Sequence, residues 1–320
     1  MVNRRFLLAG AGLLALPGTG LAAGSFDDWL AGLRAEARRG GISAATLQRA
    51  FAGVQPNSRV LELDRRQPEF TMTWDQYRDR IVSPQRVENG RRLYVENRSL
   101  LDAINARFRV SPRVVLAIWG MESNFGAGTG NFNVIEATAT LAWDGRRAEF
   151  FRRELLAALR ILDAGHITPE RMKGSWSGAM GQPQFMPTSF ERLAVDFDGD
   201  GRKDIWDSRA DALASVANYL ARSGWREDEL WGREVILPGG FDPSLADRRN
   251  TRSVAEWSRM GVRRADGSPL PVAEVQAAIL IPGGLGGQAF AVYPNFNAIR
   301  RYNPSDFYSL AVGILSDRVA

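Results

Sequence analysis

VVLAIWGMESNFG, residues 114–126, is an apolar run that closes on a carboxylate, Glu122. Ser111 ahead of it is a good N-cap, and Pro112 suits the first helical position. Val114, Val115, Leu116, Ile118, Trp119 and Met121 cover nearly every face of such a helix. It is therefore expected to be buried rather than amphipathic, with Gly126 as its stop. Glu122 then lies in the last turn. Low dielectric and the negative end of the helix dipole both disfavour its charge and raise its pKa. A carboxyl kept protonated near neutral pH is what a general acid needs. The competing reading is a Glu at a helix end turned to solvent. This stretch alone does not separate the two.

The rest of the composition narrows the chemistry. The 320 residues are 45% hydrophobic and 24% charged, a globular balance large enough for two or three domains. A net charge of +5 and a pI near 9.9 suit an acidic partner: nucleic acid, an anionic membrane or an anionic wall polymer. Arginine is spread along the chain rather than packed in one tract, which argues against nucleic acid. There is no cysteine, so disulfides, thiolate metal sites and a lipid-modified Cys are excluded. The single histidine, His166 in DAGHITPE, reads as a surface loop residue. Ser–His triads and histidine zinc sites are thereby disfavoured. Chemistry must come from carboxylates, hydroxyls, amides and Arg.

MVNRRFLLAGAGLLALPGTGLAAG has a basic start, an apolar stretch and a small-residue end, the pattern of a cleaved signal peptide over residues 1–23. Arg4 and Arg5 ahead of Phe6, Leu7 and Leu8 resemble a twin-arginine signal. The mature protein is expected to be exported, soluble and without a transmembrane anchor. Residues 24–110 read as a helical region, with FDDWLAGLRAEARR, ISAATLQRAFAGV, TWDQYRDRI and SPQRVENGRRLYVENRSLLDAINARF. Residues 111–232 hold the densest motifs. There AEFFRRELLAALRILDAG places Phe151, Leu155, Leu159 and Leu162 at helical spacing. RADALASVANYLARSGW is a second such helix. Residues 233–295 turn Gly- and Pro-rich, with short apolar runs EVILP and AAILIP, and read as a small β-rich module. Residues 296–320 return to helix. The expected fold class is α+β, predominantly α-helical.

DFDGDGRKDIWD, residues 196–207, follows EF-hand spacing. Asp196, Asp198 and Asp200 take positions 1, 3 and 5, and Gly201 takes the sharp turn at 6. Arg202 offers its backbone carbonyl at 7, Asp204 falls at 9, and Asp207 stands at 12 where Glu is usual. The expected ion is Ca2+ in a structural role, with no cofactor for catalysis. The plainer reading is a solvated acidic loop.

GSWSGAMGQPQFMPTSF at 174–190 adds a Gly-rich segment able to bring backbone close to a ligand. Together with GMESNFG, DGRRAEFF, DFDGDGRKDIWD, SVANYLARSGW and RYNPSDFY, in that order, it resembles one family. The chain is similar, from about residue 25 to its end, to the lytic murein transglycosylases of the B type, which have a lysozyme-like fold. The resemblance implies a lysozyme-like core at 111–232, to which residues 296–320 return. Glu122 corresponds to the single catalytic acid/base. Arg146 and Arg147 match an arginine pair lining the glycan groove. Ser175 and Gln184 fall at sugar-contacting positions. Tyr219, Tyr302, Asn303 and Tyr308 match further cleft residues, and the Asp-rich loop matches a cation site. Gln182 and Pro183 stand where relatives often carry Tyr-Gly, and Phe150 where Tyr is common.

The resemblance implies cleavage of the β-1,4 bond between N-acetylmuramic acid and N-acetylglucosamine without water, leaving 1,6-anhydromuramyl ends. Ordinary glycosidases need two carboxylates. Only Glu122 reads as buried, while Glu136, Asp144 and Glu149 sit in polar contexts expected to face solvent. The implied partners are peptidoglycan glycan strands and cell-wall enzyme complexes, not nucleic acid, with a monomer in the periplasm. The alternatives are a hydrolytic lysozyme- or chitinase-like glycosidase and a non-catalytic wall-binding protein.

Overall fold

The computed structural model describes residues 25–65 and 72–319. The leader read at residues 1–23 lies outside the described residues. In chain order the helices begin with α1 (Phe26–Arg39), α2 (Ala44–Ala50), α3 (Ser58–Arg65), α4 (Trp74–Ile81), α5 (Pro84–Glu96), α6 (Arg98–Phe108) and α7 (Pro112–Ser123). Strand β1 (Phe132–Asn133) precedes α8 (Val134–Asp144) and α9 (Ala148–Asp163), and β2 (Lys173–Gly174) precedes α10 (Pro187–Leu193) and α11 (Arg209–Arg222). Then come β3 (Gly232–Ile236), β4 (Thr251–Ser253), α12 (Val254–Arg259), β5 (Arg263–Arg264), β6 (Gln276–Leu280) and β7 (Ala289–Val292). Helices α13 (Pro294–Tyr302) and α14 (Asp306–Arg318) finish the chain. The expected single C-terminal helix is thus two helices, broken at Pro304, which removes a backbone donor.

The chain divides into two compact units, each built from separated stretches. The first takes in the described residues up to 65 together with Glu122–Asn218. The second takes in residues 72–121 and those from Tyr219 onward. The β-rich stretch lies wholly in the second.

In the first unit, α8 and α9 form an antiparallel corner turned by Gly145, whose φ of 89° suits a residue without Cβ. The α9 stripe of Phe151, Leu155, Leu159 and Leu162 is buried, as its spacing predicts. Each such side chain contributes about 1.5–3 kcal/mol of transfer free energy. A cluster of Val60, Leu63, Ala137, Leu141, Ala142, Phe151 and Trp176 ties α3 to that corner. Asn57 reinforces the contact: its backbone N–H donates to Thr140 Oγ1 at 3.0 Å and its side chain to Glu136 Oε1 at 2.5 Å.

In the second unit, the strands form one antiparallel sheet in the order β4-β6-β7-β3-β5. Trp257, Val254, Ile279 and Val235 fill one core beneath it, and Trp257 Nε1 donates to the Ala277 carbonyl at 2.9 Å. Gly313 on α14 lies flat against Trp231. A Cβ there would come within 2.3 Å of the indole, so only glycine admits the ring. Trp231 Nε1 then reaches Asp317 Oδ2 at 3.1 Å.

Candidate active site

Helix α7 is buried from Val114 to Ser123, and Glu122 is only 3% exposed. The solvent-facing reading of this carboxylate is therefore set aside. The helix stops at Ser123, three residues before the expected Gly126. Asn124 (φ 49°) and Phe125 (φ 59°) both adopt the left-handed conformation, which a bulky side chain rarely takes. Such positions cost on the order of 1–3 kcal/mol each and persist where surrounding contacts over-determine them. Here Ser123 supplies those contacts: its Oγ accepts from Gly126 N–H at 3.0 Å and its carbonyl from Gly128 N–H at 2.8 Å. The backbone is thus clamped immediately after the carboxylate.

The Gly-rich segment is equally fixed. Ser175 N–H donates to the Ala179 carbonyl at 2.8 Å, and Ser175 Oγ accepts from Ala179 N–H at 3.1 Å while lying 3.1 Å from Ser177 Oγ. Gln184 is buried with a left-handed φ of 53°, and its Nε2 donates to the carbonyls of Thr129 (2.9 Å) and Gly181 (2.8 Å). Gly181 packs so closely that a Cβ would lie 2.6 Å from the Ile205 carbonyl oxygen. Gln182, one of the positions departing from the family pattern, is also structural: its Nε2 donates to the Trp206 carbonyl at 3.0 Å.

Arg146 and Arg147 follow the α8–α9 corner, and one buried carboxylate answers both. Arg146 Nη2 lies 2.6 Å from Asp64 Oδ2, Arg147 pairs with Asp64 Oδ1, and Arg146 also donates to the Asp64 carbonyl at 2.8 Å. The Arg147 guanidinium sits 4.9 Å from the Phe151 ring centroid.

Glu122 is not the only buried carboxylate in this unit. Asp64, Glu154, Asp204 and Asp211 are buried as well, which corrects the reading from sequence. Each of these four has scaffold partners. Glu154 accepts from Thr188 N–H at 2.9 Å and Thr188 Oγ1 at 2.8 Å, and burial pushes its carboxyl above the usual range. Of the residues expected in solvent, only Glu149 is exposed. Asp144 is half-buried and pairs with Arg65 at 3.0 Å, and Glu136 is half-buried against Asn57.

In the Asp-rich loop the structure brings together Asp196, Asp198 and Asp211, with one carboxylate oxygen of each within 4.8 Å of the others. Asp211 lies four residues beyond the expected loop, in the first turn of α11. It accepts from Phe197 N–H and Asp204 N–H, both at 2.7 Å. The other expected ligands are engaged elsewhere. Asp200 pairs with Arg202 at 3.0 Å, Asp204 accepts from Trp206 N–H and Asp207 N–H, and Asp207 pairs with Arg171. His166 is half-buried rather than a surface residue. Its Nδ1 accepts from Lys203 N–H at 3.2 Å, and burial lowers its pKa.

Tyr219, Tyr302, Asn303 and Tyr308 belong to the second unit. The rings of Tyr219 and Tyr302 lie 4.5 Å apart, and Tyr219 Oη donates to the Arg301 carbonyl at 2.5 Å. Asn303 Oδ1 accepts from Ser305 N–H at 3.1 Å, and Tyr308 is buried.

A family model described as "Transglycosylase SLT domain" matches residues 25–317. The chain belongs to that family. Over 249 residues it is 33% identical to "Membrane-bound lytic murein transglycosylase B" of Escherichia coli (strain K12), covering 77% of this chain and 67% of the relative. It is 50% identical to SltB3 from Pseudomonas aeruginosa, solved in complex with NAG-anhNAM-pentapeptide, with a TM-score of 0.90 over 92% of this chain and 80% of that one. The Escherichia coli lytic transglycosylase Slt35, solved in complex with calcium, is 30% identical with a TM-score of 0.78 over 92% of each chain. The protein is a peptidoglycan lytic transglycosylase with their lysozyme-like, predominantly helical α+β fold.

Three residues of this transglycosylase escape a reading of the sequence alone. Asp64 sits among charged neighbours in LDRRQPEF and looks solvated. Glu154 stands on the same helix as exposed arginines. Asp211 reads as an ordinary acidic residue at a helix start. Only Asp211, an acid just past an Asp-rich loop, carried a signal worth following.

Proposed function

We propose that Glu122 is the acid and then the base of a non-hydrolytic cleavage between N-acetylmuramic acid and N-acetylglucosamine. The observation that carries this reading is the burial of Glu122 at the end of an apolar helix, against a backbone clamped by Ser123. Protonated Glu122 gives its proton to the leaving glycosidic oxygen as the bond to C1 breaks. The substrate's own N-acetyl carbonyl steadies the positive charge at C1. Glu122, now ionised, takes the proton of the C6 hydroxyl as that oxygen bonds to C1. The ring closes to a 1,6-anhydromuramyl end, and the carboxyl is protonated again. Attack from within one sugar benefits from high effective molarity, so no second carboxylate has to activate water. The scaffold partners of Asp64, Glu154, Asp204 and Asp211 favour this one-carboxylate chemistry over hydrolysis.

Arg146 and Arg147 meet carboxylates of the muramyl peptide stem. Ser175, Gln184, Tyr219, Tyr302, Asn303 and Tyr308 contact the glycan. Asp196, Asp198 and Asp211 hold a structural Ca2+, since an all-oxygen set of carboxylates suits a hard cation. No helix among the described residues is long and apolar enough to cross a membrane. The leader pattern of residues 1–23 supports export, and the reading places a monomer on glycan strands in the periplasm. Mass spectrometry of fragments released from purified murein tests the central reading. Anhydro ends are expected; reducing ends would make the enzyme a hydrolase.

A further inference from the structure

We infer that Asp64 is a positioning residue that sets the enzyme's preference for strands bearing carboxylates. The inference rests on the reading of Arg146 and Arg147 as residues of the substrate groove. Asp64 lies in the last turn of α3 and is 2% exposed, yet it meets two guanidinium groups that reach outward to 51% and 28% exposure. A buried carboxylate needs hydrogen-bond partners, and here two guanidinium groups supply them as charge-assisted bonds. The bookkeeping leaves one positive charge over: two cations against one anion. Phe151 beneath Arg147 and the Asp64 carbonyl beside Arg146 restrict where that excess points. Arg146, with half its surface free, is the group placed to receive an anion of the substrate. Free of Asp64, the two cations would repel each other and spread. The surplus charge would then be presented without geometry, losing the match to a planar carboxylate.

The test compares kcat and KM on intact murein strands and on strands whose stem carboxylates have been capped as amides. Wild type should favour the intact strands through KM. In Asp64→Asn the KM on intact strands should rise roughly tenfold, the scale of one charge-assisted hydrogen bond, with kcat and the capped substrate unmoved. A merely structural role would change both substrates alike, and that result overturns the inference. An Arg146→Ala/Arg147→Ala double variant separates the two levels. If it keeps the wild-type preference, the arginine reading itself fails. If it loses the preference while Asp64→Asn keeps it, the arginines stand and Asp64 does not act through them. Should Asp64→Asn not fold, Asp64→Glu keeps the charge one methylene away. A partial loss of preference supports the proposal, and an unchanged preference overturns it.

Discussion

Five carboxylates are buried among the described residues of the first unit, and four of them have scaffold roles that their hydrogen bonds and ion pairs define. Asp64 holds arginines, Asp204 and Asp211 hold backbone N–H groups, and Glu154 anchors Thr188 at the start of α10. Glu154 also carries a pH signature. Burial is the largest influence on it and raises its carboxyl above the ordinary 4.5, against the lowering effect of the Thr188 hydrogen bonds. The folded state then holds this proton more tightly than the unfolded chain. Its contribution is full below the unfolded value and lost as pH rises through the folded one. The stability of wild type relative to Glu154→Gln, which cannot titrate, should therefore be greater near about pH 4 than near about pH 7. Urea unfolding at the two pH values measures it, and a difference independent of pH would contradict the assignment. Glu122 was legible because an acid after an apolar run is conspicuous. Asp64 and Glu154 were not, because burial of a lone acid depends on distant partners that a linear pattern does not reveal.

At the level of elements, amphipathic helices such as α1 and α9 appear where their periodicity puts them. Helices α3 and α8 carried no such signal. α8 is buried almost all round, so VIEATATLAWD shows no polar stripe to read. The long helical stretch at 83–108 breaks at Asn97, where α5 ends and α6 begins. The Asp-rich loop was recognised by spacing, but its geometry depends on α11, which supplies Asp211. The loop and the helix start should therefore respond to a cation together. Calcium should raise the melting temperature and a chelator lower it, with a gain of about 2.7 kcal/mol at a hundred times Kd. Asp211→Asn should lower the starting stability and remove most of the calcium response. Differential scanning calorimetry reads both. A melting curve unmoved by millimolar calcium would mean a solvated turn, and a full response in Asp211→Asn would return the ion to the twelve-residue loop alone.

For the molecule as a whole, the basic balance predicts how it meets its polymer. The chain carries +5, and removal of the leader would take Arg4 and Arg5 with it, so the remaining excess is modest. Electrostatic attraction to an anionic strand should then act mainly on capture, and exposed charges are screened beyond about 8 Å at physiological salt. KM on intact murein should rise with added salt while kcat holds. Steady-state rates across a salt series test this; a falling kcat at constant KM would point instead to a conformational effect of salt.

The assignment of Glu122 is tested most directly by the rate of murein cleavage in Glu122→Gln. The amide keeps the shape of the side chain and removes only the proton that the leaving oxygen needs. Release of anhydromuramyl fragments, followed against wild type with folding checked by circular dichroism, should fall by at least ~10²-fold, the scale of losing a general acid. A folded Glu122→Gln enzyme that releases those fragments at close to the wild-type rate would contradict the assignment of Glu122 as acid and base.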